Sequence, residues 1–142
     1  MRAQGDYVVG KWTVIYDGAC GVCRWCMALT LTVDRHQQLS PLALQDPRAD
    51  RLLAVIAREQ RATSWHVVSP AGRVYSAGAA IPVLCALLPG FGPLGRLSGA
   101  APNATERIYA GLSGNRHRIG SRLPRAWISW AARRLDERVG RG

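Results

Sequence analysis

The sequence predicts a small α/β protein in which a four-stranded mixed sheet is flanked by helices and followed by a helical C-terminal tail. Three observations lead to this prediction. The chain has 142 residues, a length that suits one domain. Short β-branched and aromatic runs alternate with segments of helical periodicity. Apolar residues make up 48% of the chain and charged residues 20%, a composition that argues against general disorder.

The first predicted unit is a strand followed by a helix. Trp12–Tyr16 is β-branched and aromatic, which is typical of a strand. The Asp17-Gly18 pair then marks a turn. Beyond the turn, apolar residues recur at helical spacing and predict a helix over residues 21–34.

The second unit repeats this order. Leu39–Leu44 is a predicted strand, and its proline, Pro41, suits an edge strand or an early position. Asp46 followed by Pro47 is typical of an N-cap and the first helical residue. We expect this helix to continue to about Gln60.

A hairpin and a short helix come next. Residues 64–68 and 73–75 are predicted strands, because Ser69–Gly72 between them has proline and glycine in turn positions. A helix is predicted over residues 81–88, and Pro89–Gly95 is predicted to be a loop because it is rich in helix breakers.

Two further helices are predicted near the C-terminus. The first spans Ala104–Ser113, with Ile108, Tyr109 and Leu112 facing inward, and the second spans Pro124–Val139. The apolar side of the last helix comprises Leu123, Trp127, Ile128, Ala131, Leu135 and Val139. A strand–helix–strand unit followed by a hairpin and a helix is the element order of the thioredoxin-like core.

The charge is high and uneven. The formal net charge is +10, and residues 106–142 hold nine arginines against three acidic residues. Such a tail attracts an anionic partner or forms a solvated helix face. Since no nucleic-acid-binding motif is present, no nucleic-acid partner is expected. Two interpretations of the tail stay open: peripheral contact with a membrane or protein, and docking of its apolar stripe on the domain core.

The expected location is the cytoplasm. Met1–Lys11 contains no apolar stretch of the kind found in secretory signals. The longest uncharged stretch, Val74–Gly95, is interrupted by three prolines and is a poor candidate for a membrane span. In a reducing compartment, clustered cysteines are more often catalytic or metal-binding than structural.

The residues that carry chemistry are Cys20 and Cys23, which are separated by Gly21-Val22 at the predicted start of a helix. The exposed amides and the dipole of a helix N-terminus stabilise a thiolate, which is the form that attacks a disulfide. We therefore predict that Cys20 attacks and that Cys23, one turn later, resolves the mixed disulfide. This chemistry needs no bound cofactor, only a protein or small-molecule disulfide or dithiol as partner.

Asp17 is predicted to support this pair. It either relays the proton of Cys23 during resolution or holds backbone amides in the turn after the strand. With this dithiol, we expect a thioredoxin-like domain over residues 1–121 and a basic amphipathic helical tail over residues 122–142.

Two more cysteines leave an alternative open. Cys26 and Cys85 fall on apolar helix stripes, which favours simple burial. Together with Cys20 and Cys23, however, they give a spacing seen in iron–sulfur proteins. The alternative function is therefore a metal or iron–sulfur protein that uses Cys20, Cys23 and Cys26 as ligands, with or without the distant Cys85.

Two polar segments have less specific interpretations. His66 alternates with apolar residues on a predicted strand, which favours a half-exposed position over a catalytic one. Residues 115–118 are polar and basic; they either bind an anion or end a helix, where cations complement the dipole.

The run Val14–Cys23 resembles the signature of the DCC family of thiol-disulfide oxidoreductases, also called DUF393, in which a strand leads into Y-D-G-x-C-x-x-C. Asp34 matches a family aspartate about eleven residues after the second cysteine. Residues 69–75 and 115–118 resemble its later hairpin and its N-R-x-R ending, so the resemblance spans roughly residues 12–120. It implies a thioredoxin-like fold and a redox-active disulfide, with no particular substrate.

Overall fold

The computed structural model describes residues 10–62 and 64–140, and within these ranges it confirms the predicted thioredoxin-like α/β architecture. One mixed sheet has the strand order β2-β1-β3-β4. The strands are β1 (Trp12–Tyr16), β2 (Leu39–Ala43), β3 (His66–Val68) and β4 (Val74–Ser76). β1 runs parallel to β2 and antiparallel to β3, and β3 runs antiparallel to β4. As predicted for Pro41, its strand lies at an edge of the sheet.

Helices surround this sheet. They are α1 (Gly21–Val33), α2 (Pro47–Leu52), α3 (Arg58–Arg61), α4 (Ala80–Leu87), α5 (Gly92–Ala100), α6 (Pro102–Gly114), α7 (Arg116–Ser121) and α8 (Arg125–Gly140). The predicted helix from Pro47 to Gln60 is wrong in one respect, because the chain turns at Leu53 and forms two short helices. That turn buries Leu53 completely against the sheet.

Two of these helices are absent from the sequence prediction. α5 begins within the segment that was predicted to be a loop. Its proline, Pro93, lies in the first turn, where the missing amide breaks no helical hydrogen bond. α7 follows α6 after the single residue Asn115, which ends one helix and precedes the next.

The alternation of side chains along β1 divides the core between the two faces of the sheet. Val14 and Tyr16 belong to a cluster with Met27 of α1, Leu84 of α4 and Leu135 of α8. On the other face, Ile15 packs in a second cluster, which also contains Leu42, Ala49, Leu53 and Val68. The C-terminal end of β1, which leads to Cys20, is therefore held from both sides.

The tail helix α8 packs against α1. Ala131 and Leu135 on its inner side are buried, and Leu135 is part of the main core. The carboxylate of Asp34, at the end of α1, forms a buried ion pair with the guanidinium of Arg138. These contacts are those expected if the apolar stripe docks on the core. The division into residues 1–121 and 122–142 stays a prediction.

Some residues named in the sequence analysis lie outside the described part of the chain. They are residues 1–9, in which no secretory signal was recognised, and the side chain of Val139 on the last helix. Within the described part, no helix combines the length and the apolar character needed to cross a membrane.

The inward face of α6 was predicted wrongly. Ile108 and Leu112 are 65% and 61% exposed, and only Tyr109 of the three predicted residues turns toward the sheet. Its hydroxyl accepts a hydrogen bond from the Trp65 amide at 2.7 Å. Glu106, one turn earlier, accepts from the Gly78 amide at 2.9 Å. These two polar anchors set the rotation of α6 and leave its aliphatic residues facing outward.

Candidate active site

Cys20 and Cys23 lie at the junction between β1 and α1. Cys20 is the N-cap residue of α1, with an extended backbone (φ −99°, ψ 119°), and its carbonyl accepts the first helical hydrogen bond, from the Arg24 amide at 3.0 Å. Cys23 lies in the first turn and packs in one buried cluster with Cys20. The amides of this turn have no helical partners and favour a negative charge at the N-cap. The local geometry is thus that of a thiol pair at a helix N-terminus.

Both thiols are covered. Cys20 is 5% exposed and Cys23 is 6% exposed, and with Val22 they form a small buried cluster. Leu123, in the turn between α7 and α8, packs against this cluster. Gly120 of α7 also lies close to the first turn of α1, since a Cβ added there would be 3.7 Å from the Val22 amide nitrogen. The start of α1 is therefore screened by the segment that joins α7 to the tail.

The pKa of the Cys23 thiol is raised. Burial is the largest cause, followed by the hydrogen bond with Cys20 and the negative charge on Cys20. The positive charge of Arg116 lowers the same pKa, and the carboxylate of Asp17 raises it. Burial and the neighbouring sulfur of Cys20 thus both favour the protonated form of Cys23.

Asp17 holds the turn that leads into the helix. Its Oδ1 accepts hydrogen bonds from the Ala19 amide at 3.0 Å and from Gln45 Nε2 at 2.9 Å. Gln45 Oε1 in turn accepts from the Gly18 amide at 3.0 Å. Asp17 therefore makes the turn contacts that one of its two interpretations predicts. Its carboxylate also lies close enough to Cys23 to raise the pKa of that thiol.

Arg116 brings a positive charge to this site from a distant part of the chain. Its Nη2 lies 3.8 Å from Asp17 Oδ2 and donates a hydrogen bond to the Ala62 carbonyl at 3.1 Å. Arg116 belongs to the polar segment 115–118, which is predicted either to bind an anion or to end a helix. The structure shows that it starts α7 beside the thiol pair, while the neighbouring Asn115 donates to the Gly111 carbonyl and closes α6.

Cys26 and Cys85 differ in their surroundings. Cys85 is buried, as predicted, whereas Cys26 is only half-buried and packs against the Cys20–Cys23 cluster. Burial raises the pKa of both thiols, and the charge of Cys20 further raises that of Cys26. Among residues 10–62 and 64–140, no group of three or more histidine, cysteine, aspartate or glutamate side chains is arranged to hold a metal ion. The metal alternative thus gains no support.

His66 is not at the site and is not half-exposed as predicted. It is buried at the sheet, with Nδ1 2.7 Å from Ser76 Oγ and Nε2 2.9 Å from the Arg61 carbonyl. Because Nε2 must donate to that carbonyl, the Ser76 hydroxyl donates to Nδ1 of a neutral ring. Burial lowers the pKa of His66, in keeping with a neutral structural histidine.

Three residues of this site were missed or misplaced by sequence reasoning. Gln45 supports Asp17, Leu123 screens the thiols, and Arg116 supplies the charge. Gln45 has no distinguishing sequence feature, because glutamines after strands are common. Arg116 was noticeable as part of a basic run that matches a family motif.

Comparison with known proteins identifies a family for most of the chain. Neither the curated proteins nor the solved structures contain a match to the chain. Residues 14–122, which include the thiol pair, Asp17, Gln45 and Arg116, match the family described as DCC1-like thiol-disulfide oxidoreductase. That match covers well over half of the sequence, and the chain therefore belongs to the DCC1-like thiol-disulfide oxidoreductase family.

Proposed function

We propose that the protein is a thiol-disulfide oxidoreductase whose reactive dithiol is Cys20 and Cys23. The observation that carries this proposal is the packing of Cys20, at the N-cap of α1, against Cys23 in the first turn. It combines one sulfur at a helix N-terminus with a second sulfur close by. Dithiols and disulfides are the substrates that the family implies in general.

The roles of the two cysteines follow from their positions. The Cys20 thiolate attacks one sulfur of the substrate, the S–S bond breaks and the first thiolate leaves. Cys23 then loses its proton and attacks Cys20, which releases the second thiolate and leaves a Cys20–Cys23 disulfide. One substrate disulfide is reduced as the dithiol is oxidised, and another dithiol must return the enzyme to its starting state.

Asp17 is proposed to accept the proton of Cys23 during the second step. Its carboxylate is close enough to affect the Cys23 thiol, and Gln45 and Arg116 hold it in place. A carboxylate fixed in this way is a suitable general base because its orientation is set before the reaction.

Two further expectations belong to this proposal. The cytoplasmic location stays an expectation, and it rests on the clustered cysteines of the sequence. Peripheral contact through the basic tail has no supporting observation, because the apolar stripe of α8 faces α1 and the core.

The test is a set of serine variants assayed with dithiothreitol as reductant and bis(2-hydroxyethyl) disulfide as substrate. Cys20→Ser should lose at least about a hundredfold in turnover. Cys23→Ser, freed of dithiothreitol and then mixed with the disulfide, should accumulate a one-to-one mixed disulfide on Cys20, visible by mass spectrometry. Val55→Ser is the control, since Val55 is 80% exposed and does not belong to the thiol cluster, and it should keep parental turnover. Parental activity in Cys20→Ser would reject the proposal.

A further inference from the structure

A groove of about 480 Å³ opens beside the thiol pair, and its wall is almost entirely apolar. Its larger side chains include Trp25, Trp65, Leu84, Leu88, Leu94 and Leu112. Among the residues that the structure describes, Arg116 is the one charged side chain on this wall. A concave apolar surface of this volume, with few polar groups, is typical of a small-molecule site.

The groove adjoins the reactive pair through Cys23. The wall includes Cys23, Cys26 and Cys85, and Cys20, the N-cap residue of α1, packs in one cluster with Cys23 behind this wall. A molecule that occupies the groove therefore lies against one of the two sulfurs that the proposed function uses, and the second is its neighbour. Arg116 links the two regions, because it borders the groove and also lies beside Asp17.

The apolar surface continues along α5 and α6. A neighbouring groove of about 410 Å³ shares Leu94, Tyr109 and Leu112 with the first and adds the exposed Leu97 and Ile108. Exposed large aliphatic side chains that are concentrated on one face indicate a surface that binds an apolar ligand or partner. The outward rotation of α6, set by its polar anchors, creates this surface.

We propose that the groove holds the apolar body of the substrate, and that the substrates are small organic disulfides carrying aliphatic or aromatic groups. This inference rests on the proposed function and adds the class of substrate. A small molecule is favoured over a protein partner because the groove is concave and its volume is in the range that small ligands fill.

The chemistry is that of the proposed exchange. The apolar group lies in the groove against Cys23 and Cys26, and the S–S bond is attacked by Cys20. The substrate gains two electrons and leaves as two thiols, while Cys20 and Cys23 form a disulfide. The external dithiol reduces that disulfide and supplies the electrons for the next turnover.

The experiment compares symmetrical disulfides that all release a primary alkanethiol but differ in the length of the apolar chain. Bis(2-hydroxyethyl), diethyl, dipropyl and dibutyl disulfides are assayed with dithiothreitol, each corrected for its uncatalysed rate. We expect kcat/KM to rise about threefold for each methylene group that becomes buried. Leu94→Asn and Leu112→Asn should reduce the ratio of dibutyl to hydroxyethyl kcat/KM by roughly tenfold. Both side chains are at least half exposed, which limits any effect on folding.

Val55→Asn is the matched control, because Val55 is 80% exposed and lies outside both grooves. It should leave the ratio unchanged. A second readout is independent of turnover: dibutyl sulfide, which has no S–S bond, should change the fluorescence of Trp25 and Trp65 in the parent. That change should be weaker in Leu112→Asn and should diminish in Trp25→Phe.

The outcomes separate the two proposals. If no disulfide is turned over by any form, the proposed function fails, and the sulfide titration still tests the groove. If all disulfides react equally and the groove variants match the parent, the substrate class is wrong although the function stands. Self-association that rises with protein concentration, without any dependence on substrate length, would assign the groove to a second copy and overturn this inference.

Discussion

Arg138 of the tail helix forms a buried ion pair with Asp34 at the end of α1. The same carboxylate accepts hydrogen bonds from the amides of Gln38 and Leu39, each at 3.0 Å. Asp34 thus joins α1, the start of β2 and α8 at one point. The aspartate that matches a family position has an architectural role here, on the opposite end of α1 from the thiol pair.

The first prediction concerns this junction. Asp34→Ala leaves a buried guanidinium without its carboxylate and two amides without their acceptor, so the free energy of unfolding should fall by about 3–5 kcal/mol. Urea denaturation followed by circular dichroism measures the change. Glu137→Ala is the control, since its ion pair with Arg134 is exposed and should contribute less than about 1 kcal/mol. Equal stability of the two variants would contradict the architectural role.

The second prediction concerns the cover over the thiols. Leu123→Ala removes apolar surface that packs on the Cys20 cluster, so Cys20 should react with a maleimide roughly tenfold faster. The measurement uses a Cys23→Ser background, because trypsin releases Cys20 and Cys23 in one peptide, Trp12–Arg24. Mass spectrometry then follows Cys20 alone.

The control for this cover is Leu97→Ala. Leu97 is an exposed leucine on α5 and does not belong to the thiol cluster. It should leave the labelling rate of Cys20 at the parental value. If Leu123→Ala and Leu97→Ala label Cys20 at the same rate, Leu123 does not control access to that sulfur.

The third prediction concerns pH. Burial is the largest cause of the raised pKa of Cys23, and this cause does not depend on a charge on Cys20. Resolution needs the Cys23 thiolate, so its rate should rise about tenfold per pH unit through the neutral range. With 5,5′-dithiobis(2-nitrobenzoate), the second of two thionitrobenzoate releases in stopped-flow reports this step. A rate that is flat between pH 6 and 8 would show that Cys23 deprotonation does not limit it.

Arg116→Gln extends this measurement. The guanidinium lowers the pKa of Cys23, so its removal should raise that pKa and slow resolution roughly threefold at neutral pH. The effect should shrink at alkaline pH, a dependence that a purely structural defect would not produce. Arg118→Gln, an exposed arginine on the same helix, is the control and should behave like the parent.

Much of the site was accessible from sequence because its chemistry is local. Cys20 and Cys23 lie three residues apart at a strand-to-helix junction, and helical geometry alone brings residues at that spacing onto one face. The periodicity that predicts α1 therefore also predicts the contact between the two thiols. The β-branched and aromatic run Trp12–Tyr16 is equally local, and the predicted limits of β1 match the structure at both ends.

The sequence by itself determined the nature and place of the dithiol, because one turn of helix and one preceding strand contain all the necessary information. Only the tertiary structure decided what surrounds it. Gln45, Arg116 and Leu123 reach the site across long stretches of chain, and no local pattern encodes such contacts. The rotation of α6, which opens the apolar groove, likewise depends on the hydrogen bonds of this helix to Trp65 and Gly78. Periodicity shows that a helix has an apolar stripe, but it does not show which neighbour that stripe will contact.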